Sequence, residues 1–181
     1  MNDFKHWKLT EDFTKIPNEL ITDGSLSVTQ RLILIYIKSH KENYIYTVKQ
    51  IAESLGLNIN TVKINLRKLE SMNIIKQDKI AQSSNYYRSI TKDFHQEKGF
   101  TRVSNKLIKN NELDVYEKLL FIYFSGRPRE WNYSQRKICK ILNISRRKLM
   151  ESISVLEEKD YLKVEIKDDN THDYILFFNS D

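Results

Sequence analysis

Residues 13–76 of this chain, moved forward by 87 positions, fall on residues 100–163 without a gap. Phe13-Thr14-Lys15-Ile16-Pro17-Asn18-Glu19-Leu20-Ile21 lands on Phe100-Thr101-Arg102-Val103-Ser104-Asn105-Lys106-Leu107-Ile108. Further identities follow at Leu26, Val28, Leu32, Ile35, Tyr36, Tyr46, Ile51, Leu55, Leu69, Glu70 and Lys76, to make 16 in 64 positions. Most are apolar, and exchanges such as Arg31/Lys118 and Leu57/Ile144 keep size and polarity. A fixed internal period means that one structural unit is built twice, and this restricts the fold more than any composition does. The expected organisation is an arm at 1–12, a first unit at 13–90, a linker at 91–99 and a second unit at 100–181.

Each unit is small enough that it must be compact and helix-rich to bury a core. The chain is 40% hydrophobic and 30% charged, with 4 glycines and 2 prolines. The apolar run Leu32 to Ile37 is far too short to cross a bilayer. No basic-then-apolar leader opens the sequence, so a cytoplasmic, nucleoid-associated protein without membrane partners is expected. Cys139 is the single cysteine, on the inner face of an expected helix, so neither disulfides nor thiolate metal sites are expected. Net charge is +6, which suits a polyanionic partner. Its distribution says more. From Arg127 to Lys148 eight basic residues face one acid, Glu130, whereas from Met150 onward three lysines face nine acids.

In the first unit, Ser27 and Gln30 form a capping box. It opens a helix to about His40 with Val28, Leu32, Ile35 and Tyr36 on one face. Asp114 and Glu117 repeat the device. A short extended segment follows (Tyr44-Ile45-Tyr46, and Trp131-Asn132-Tyr133). Thr47 then caps a second helix that ends at Gly56, with Asn143 in its place in the second unit; both residue types accept the left-handed backbone of a helix end. Asn58 and Ser145 cap a third helix whose inward stripes are Val62, Leu66, Leu69 and Leu149, Ile153, Leu156. The third helices run into hairpins, 74–80 with 86–90 and 161–166 with 174–178. Each unit therefore reads helix, short strand, helix, helix, hairpin: a helix-turn-helix with a wing.

The run KIPNELITDGSLSVTQRLILIYI, continued by YTVKQIAESLGLNINTVKINLRKLESMNIIK, resembles the winged helix-turn-helix domains common in bacterial, plasmid and phage regulators and replication proteins. The opening I-P-N-E-L, the S-x-x-Q-R-L of the first helix and the exit L-E-S-M-N-I-I carry the match. The second unit departs from it, with Ser104 for the proline and Glu-Lys-Asp-Tyr-Leu at the exit. The resemblance covers about residues 13–90 and 100–178. It implies a mainly α fold with small β-hairpin wings (α+β), two tandem winged helices, and double-stranded DNA as partner.

With the inner stripe fixed, helical period turns Asn60, Thr61, Ile64, Arg67 and Lys68 outward, with Lys63 beside them. Ile64 fits a thymine methyl and Asn60 an adenine edge; the plain alternative packs Ile64 on a neighbouring unit. In the second unit Arg146, Arg147 and Lys148 stand in the first turn, where a recognition helix enters the groove, and Arg136 adds charge one helix earlier; they could instead form a solvated edge. Lys79 and Arg88 are placed for wing one to brace against phosphate, whereas Asp168, Asp169 and Asp173 turn wing two away from it. The linker, roughly 30 Å when extended, approaches the ~34 Å between successive major-groove faces, so one chain could imitate a dimer. Equally, one unit alone could bind DNA while the other dimerises or docks a protein. Aromatics in the arm (Phe4, His6, Trp7) favour packing against protein.

Catalytic chemistry is not expected. The four histidines stand apart with no i, i+4 pair, and glycines at 24, 56, 99 and 126 make no phosphate loop. No cofactor or metal is implied. The leading expectation is a sequence-specific DNA-binding transcriptional regulator. The alternatives are a plasmid or phage replication initiator or replisome organiser, and a protein-interaction scaffold that no longer touches DNA. A homodimer or a replication or transcription protein is a possible further partner.

Overall fold

Two strands that neither repeat could pair by itself set the architecture. In the computed structural model, which describes residues 12–40, 44–80, 86–95, 99–127, 134–166 and 172–176, β1 (Phe13–Pro17) pairs antiparallel with β5 (Phe100–Ser104). The register is Phe13↔Ser104, Lys15↔Arg102 and Pro17↔Phe100. The 87-residue relation exchanges the outer pairs of this ladder and maps Lys15↔Arg102 onto itself, so a pseudo-two-fold axis runs between Lys15 and Arg102.

The contacts around the axis are doubled accordingly. Asn18 N donates to Gly99 O at 3.0 Å, and Asn105 N to Asp12 O at 3.2 Å. Thr101 Oγ1 donates to Asn18 Oδ1 at 2.8 Å, and Thr14 Oγ1 to Asn105 Oδ1 at 2.6 Å. Lys15 Nζ lies 4.9 Å from the ring centre of Phe100, and the Arg102 guanidinium 5.0 Å from that of Phe13.

After an added strand and short helix, the first repeat follows the expected order, and the described elements of the second follow it too. The first carries α1 (Asn18–Thr22), α2 (Val28–Lys38), β2 (Ile45–Tyr46), α3 (Val48–Leu55), α4 (Ile59–Ser71), β3 (Ile75–Lys79) and β4 (Tyr86–Ile90). The second carries α5 (Asn105–Lys109), α6 (Val115–Ser125), α7 (Gln135–Leu142), α8 (Arg146–Glu158), β6 (Leu162–Ile166) and β7 (His172–Leu176). Strand order in the first wing is β2-β4-β3, and β6 pairs β7 in the second. This is the mixed α+β class with two small-winged helix-turn-helix repeats. The second strand of wing two begins two residues earlier than the sequence suggests, at His172. The arm, both wing tips and Trp131-Asn132-Tyr133 lie outside the described residues, except for Asp12 at the arm's end.

The capping boxes at Ser27–Gln30, Thr47–Gln50 and Asp114–Glu117 are all closed on both sides. Asn58 and Ser145 accept amides at the starts of α4 and α8. Gly56 and Asn143 both take the left-handed conformation, at φ 65° and 51°, so each turn between the paired helices is set by local chemistry.

The central helices differ from the expectation of a single buried face. From Leu32 to Ile37, and from Leu119 to Phe124, every residue is buried. A helix that is apolar all round is covered all round. One side of α2 packs on its own α3 and α4, and α6 covers the other across the axis. The result is one continuous apolar cluster drawn from both repeats.

Residues 91–95 lie along the first repeat, with Phe94 buried, Lys92 Nζ bonded to Asp23 Oδ2 at 2.7 Å and His95 N donating to Glu19 Oε2 at 3.0 Å. The spacing of the repeats is set by their shared seam rather than by linker length.

Candidate nucleic-acid interface

The third helices stand clear of the seam. α4 packs against α2, α3 and β3, and α8 against α6, α7 and β6, each within its own repeat. Val62, Leu66 and Leu69 are buried, as are Leu149, Ile153 and Leu156, which fixes the rotation of both helices. The opposite faces are therefore open to solvent.

On α4 this open face carries Asn60, Lys63, Ile64, Arg67 and Lys68, all exposed, with Thr61 half-buried at its edge. Ile64 is 51% exposed and Ile59 41%; two bare isoleucines amid amides and cations make a surface able to meet both base edges and phosphates. Glu70 is the exposed acid of this helix and accepts from Gln77 Nε2 at 2.9 Å. Lys79 is exposed on β3, on the wing strand that follows.

On α8, Arg146 and Arg147 are exposed in the first turn, and Arg147 pairs loosely with Glu151 at 3.7 Å. Lys148 turns back instead. Its ammonium bonds Asp114 Oδ2 at 2.8 Å and lies 4.8 Å from the Tyr116 ring centre. The hydrogen bond to Asp114 raises its pKa. Lys148 thus closes α8 onto the cap of α6. Past the first turn the open face becomes Met150, Glu151 and Ser154. One helix earlier, Arg136, Lys137 and Lys140 are exposed along α7.

One expected contact residue is not on the surface. Arg88 is 5% exposed; its Nε donates to Gln77 Oε1 at 2.7 Å and its NH1 to Tyr46 O at 2.8 Å, with the guanidinium 5.5 Å from the Tyr46 ring centre. A buried arginine with these bonds ties β2, β3 and β4 together and has no free edge for phosphate. Wing one is therefore braced internally by Arg88 and presents Lys79 outward.

Sequence reasoning missed the two buried cations that hold the helix-turn-helices in place. Arg31, 0% exposed, donates NH1 to Ile21 O at 2.9 Å and NH2 to Leu142 O at 2.6 Å, the last carbonyl of α7 in the other repeat. Its repeat equivalent Lys118, also 0% exposed, donates Nζ to Ser54 O at 3.1 Å near the end of α3. Each cation thus meets the negative end of the opposite repeat's helix. Burial lowers the Arg31 pKa to about 10 and that of Lys118 to about 8. The turns themselves touch across the seam: Asn143 Nδ2 donates to Gly24 O at 2.9 Å, and a Cβ at Gly56 would meet Asn111 O at 3.7 Å. The available signal was a basic residue at the same place in both repeats, inside an otherwise apolar helix.

Among the described residues no group of three His, Cys, Asp or Glu side chains could hold a metal, and no helix is long and apolar enough to cross a membrane. A family model described as a helix-turn-helix domain matches residues 24–75 and again residues 111–162. No curated protein and no solved structure matches the chain.

Proposed function

Because the chain belongs to the helix-turn-helix domain family through both of its repeats, we propose that it is a sequence-specific double-stranded DNA-binding protein acting as a transcriptional regulator. A helix-turn-helix points to DNA as partner; the reading of base sequence and the regulatory role are the proposal. The observation that carries it is the open face of α4, where Asn60, Lys63, Ile64, Arg67 and Lys68 stand exposed on a helix whose other face is locked into the core. This geometry suits insertion into the major groove with Asn60 and Arg67 toward base edges and Ile64 toward a thymine methyl.

The pseudo-two-fold seam supports a single chain doing what a dimer does. The paired strands and crossed cations hold two helix-turn-helices at a fixed spacing on one body. Since the two open faces differ, the two halves of the bound site should differ as well. Such a protein would work at the bacterial nucleoid by occupying an operator.

A genome-wide footprint of the full chain tests the reading. Discrete sites overlapping promoters, with reporter output changing when the site is scrambled, are expected. Recurrent sites arrayed in a replication origin would replace regulation with initiation, and binding without salt dependence would remove DNA as the partner, since phosphate neutralisation makes affinity fall steeply with salt.

A further inference from the structure

We infer that the repeats divide the work on DNA, the first discriminating base sequence through α4 and the second gripping phosphates through α7 and the first turn of α8. This rests on the DNA-binding reading above and adds which surface does what.

The two repeats place different chemistry at equivalent positions of one scaffold. Arg136 and Lys140 on α7 correspond to Lys49 and Glu53 on α3, which pair with each other at 3.6 Å. Arg146 and Arg147 correspond to Ile59 and Asn60. Four exposed cations in the second repeat thus stand where the first has one cation, one carboxylate and two uncharged side chains. Helix α7 packs against α8, so the two exposed pairs stand on adjoining helices. Helix α7 begins with Ser134 accepting an amide, and no acidic residue lies on α7. The Arg147–Glu151 contact is a surface pair at 3.7 Å and competes weakly with a phosphate.

Deeper along the third helix the balance reverses. Where α4 has Lys63, Ile64 and Arg67, α8 has Met150, Glu151 and Ser154. A carboxylate at the middle of the open face is repelled by phosphates lining a groove. An arginine cluster at the rim with an acidic helix behind it fits contact with the DNA backbone, which fixes position without reading sequence. The α4 face, with amide, aliphatic and guanidinium groups in one stripe, fits direct readout.

The test uses the full chain, a duplex that it selects from a randomised pool, and a shuffled duplex of equal composition, each titrated over a salt series. The variant R136Q/K140Q/R146Q/R147Q should lower affinity for both duplexes by the same factor. Its log–log salt slope should shrink by about 3–4, roughly 0.9 for each phosphate no longer neutralised. The ratio between the duplexes should stay unchanged. The variant N60A/I64A/R67A should cut that ratio by roughly 100-fold, with a slope change of about one. Should the glutamine variant melt below the assay temperature, R136Q/K140Q alone, with a slope decrease of about two, decides the matter. Collapse of the ratio in the α7–α8 variant with an unchanged slope would overturn the division. Wild-type chain that holds no duplex in a salt-dependent way would instead bring down DNA binding itself.

Discussion

The third helix of the first repeat and that of the second enter the fold alike and face solvent differently. Val62 and Leu149, Leu66 and Ile153, Leu69 and Leu156 fill matching holes. The open faces share almost nothing. α4 keeps cations and amides as far as Lys68, while α8 turns from Arg146 and Arg147 to Glu151, and Glu158 stands where α4 has Ser71. The same division holds at the seam, where the backbone bonds of Asn18 and Asn105 and the hydroxyl bonds of Thr101 and Thr14 are duplicated around the axis. Positions with a packing partner have kept their character across the duplication, and positions without one have drifted in charge. A scaffold of two equal halves thus carries two unequal surfaces.

The largest expected effects test the equality of the halves at the seam. Replacing Arg31 with alanine leaves the carbonyls of Ile21 and Leu142 buried without their donor, at about 1–3 kcal/mol each, offset in part by removing a desolvated cation. R31A should lose on the order of 2–4 kcal/mol in urea unfolding, and K118A about half of that because Lys118 serves a single carbonyl, Ser54 O. Both variants should still unfold in one transition, since one apolar cluster spans the repeats. Two separated transitions, or equal losses from R31A and K118A, would break the comparison.

A pH series sharpens it. The folded-state pKa of Lys118 is about 8 against a reference of 10.5. Between those values the unfolded chain holds a proton that the folded chain has shed, so this site's contribution to stability rises with pH across that window. Below pH 8 both states are protonated and the folded chain carries the full cost of a buried ammonium. The stability difference between wild type and K118M should therefore climb by on the order of 1–3 kcal/mol from pH 8 to pH 10.5. The matching R31M difference should stay flat below about pH 10, where Arg31 keeps its proton. A flat Lys118 curve would mean that its ammonium is hydrated and the seam open at Ser54.

What the sequence made legible is what neighbouring residues decide. The three capping boxes, the left-handed Gly56 and Asn143 and the inner stripe of each third helix follow from side chains within one or two turns of each other. The pairing of β1 with β5 joins residues some ninety positions apart, and nothing local marks Phe13-Thr14 as the partner of its own repeat. Its trace was indirect: Ile33, Leu34 and Ile37 add a second apolar face to α2 that one unit has no means of covering. Arg88 was misplaced for a similar reason. In a strand, alternation says which residues share a face and not which face is inward, and an arginine is normally given to solvent. The ladder offers a clue, since Arg88 opposite Gln77 has its counterpart in Tyr174 opposite Val164. Lys148 looked available for phosphate because Asp114, thirty-four residues away, could not be seen to claim it.

The smallest effect is expected at the turns, and it asks whether the two halves are interchangeable. Gly56 at φ 65° and Asn143 at φ 51° occupy the same left-handed position. An alanine there is strained by its Cβ, at about 1–2 kcal/mol, even though the space beside Gly56 is open to 3.7 Å. Asparagine tolerates this conformation, because its short amide bonds locally. In the second repeat that amide reaches across the seam to Gly24 O, and the pseudo-axis sets Asn111 O at the matching place beside Gly56. G56N should accordingly stay within about 0.5 kcal/mol of wild type in urea unfolding, while G56A loses at least twice that. If G56N falls as far as G56A, the amide finds no acceptor, and the two turns are alike in backbone but not in what they meet across the seam.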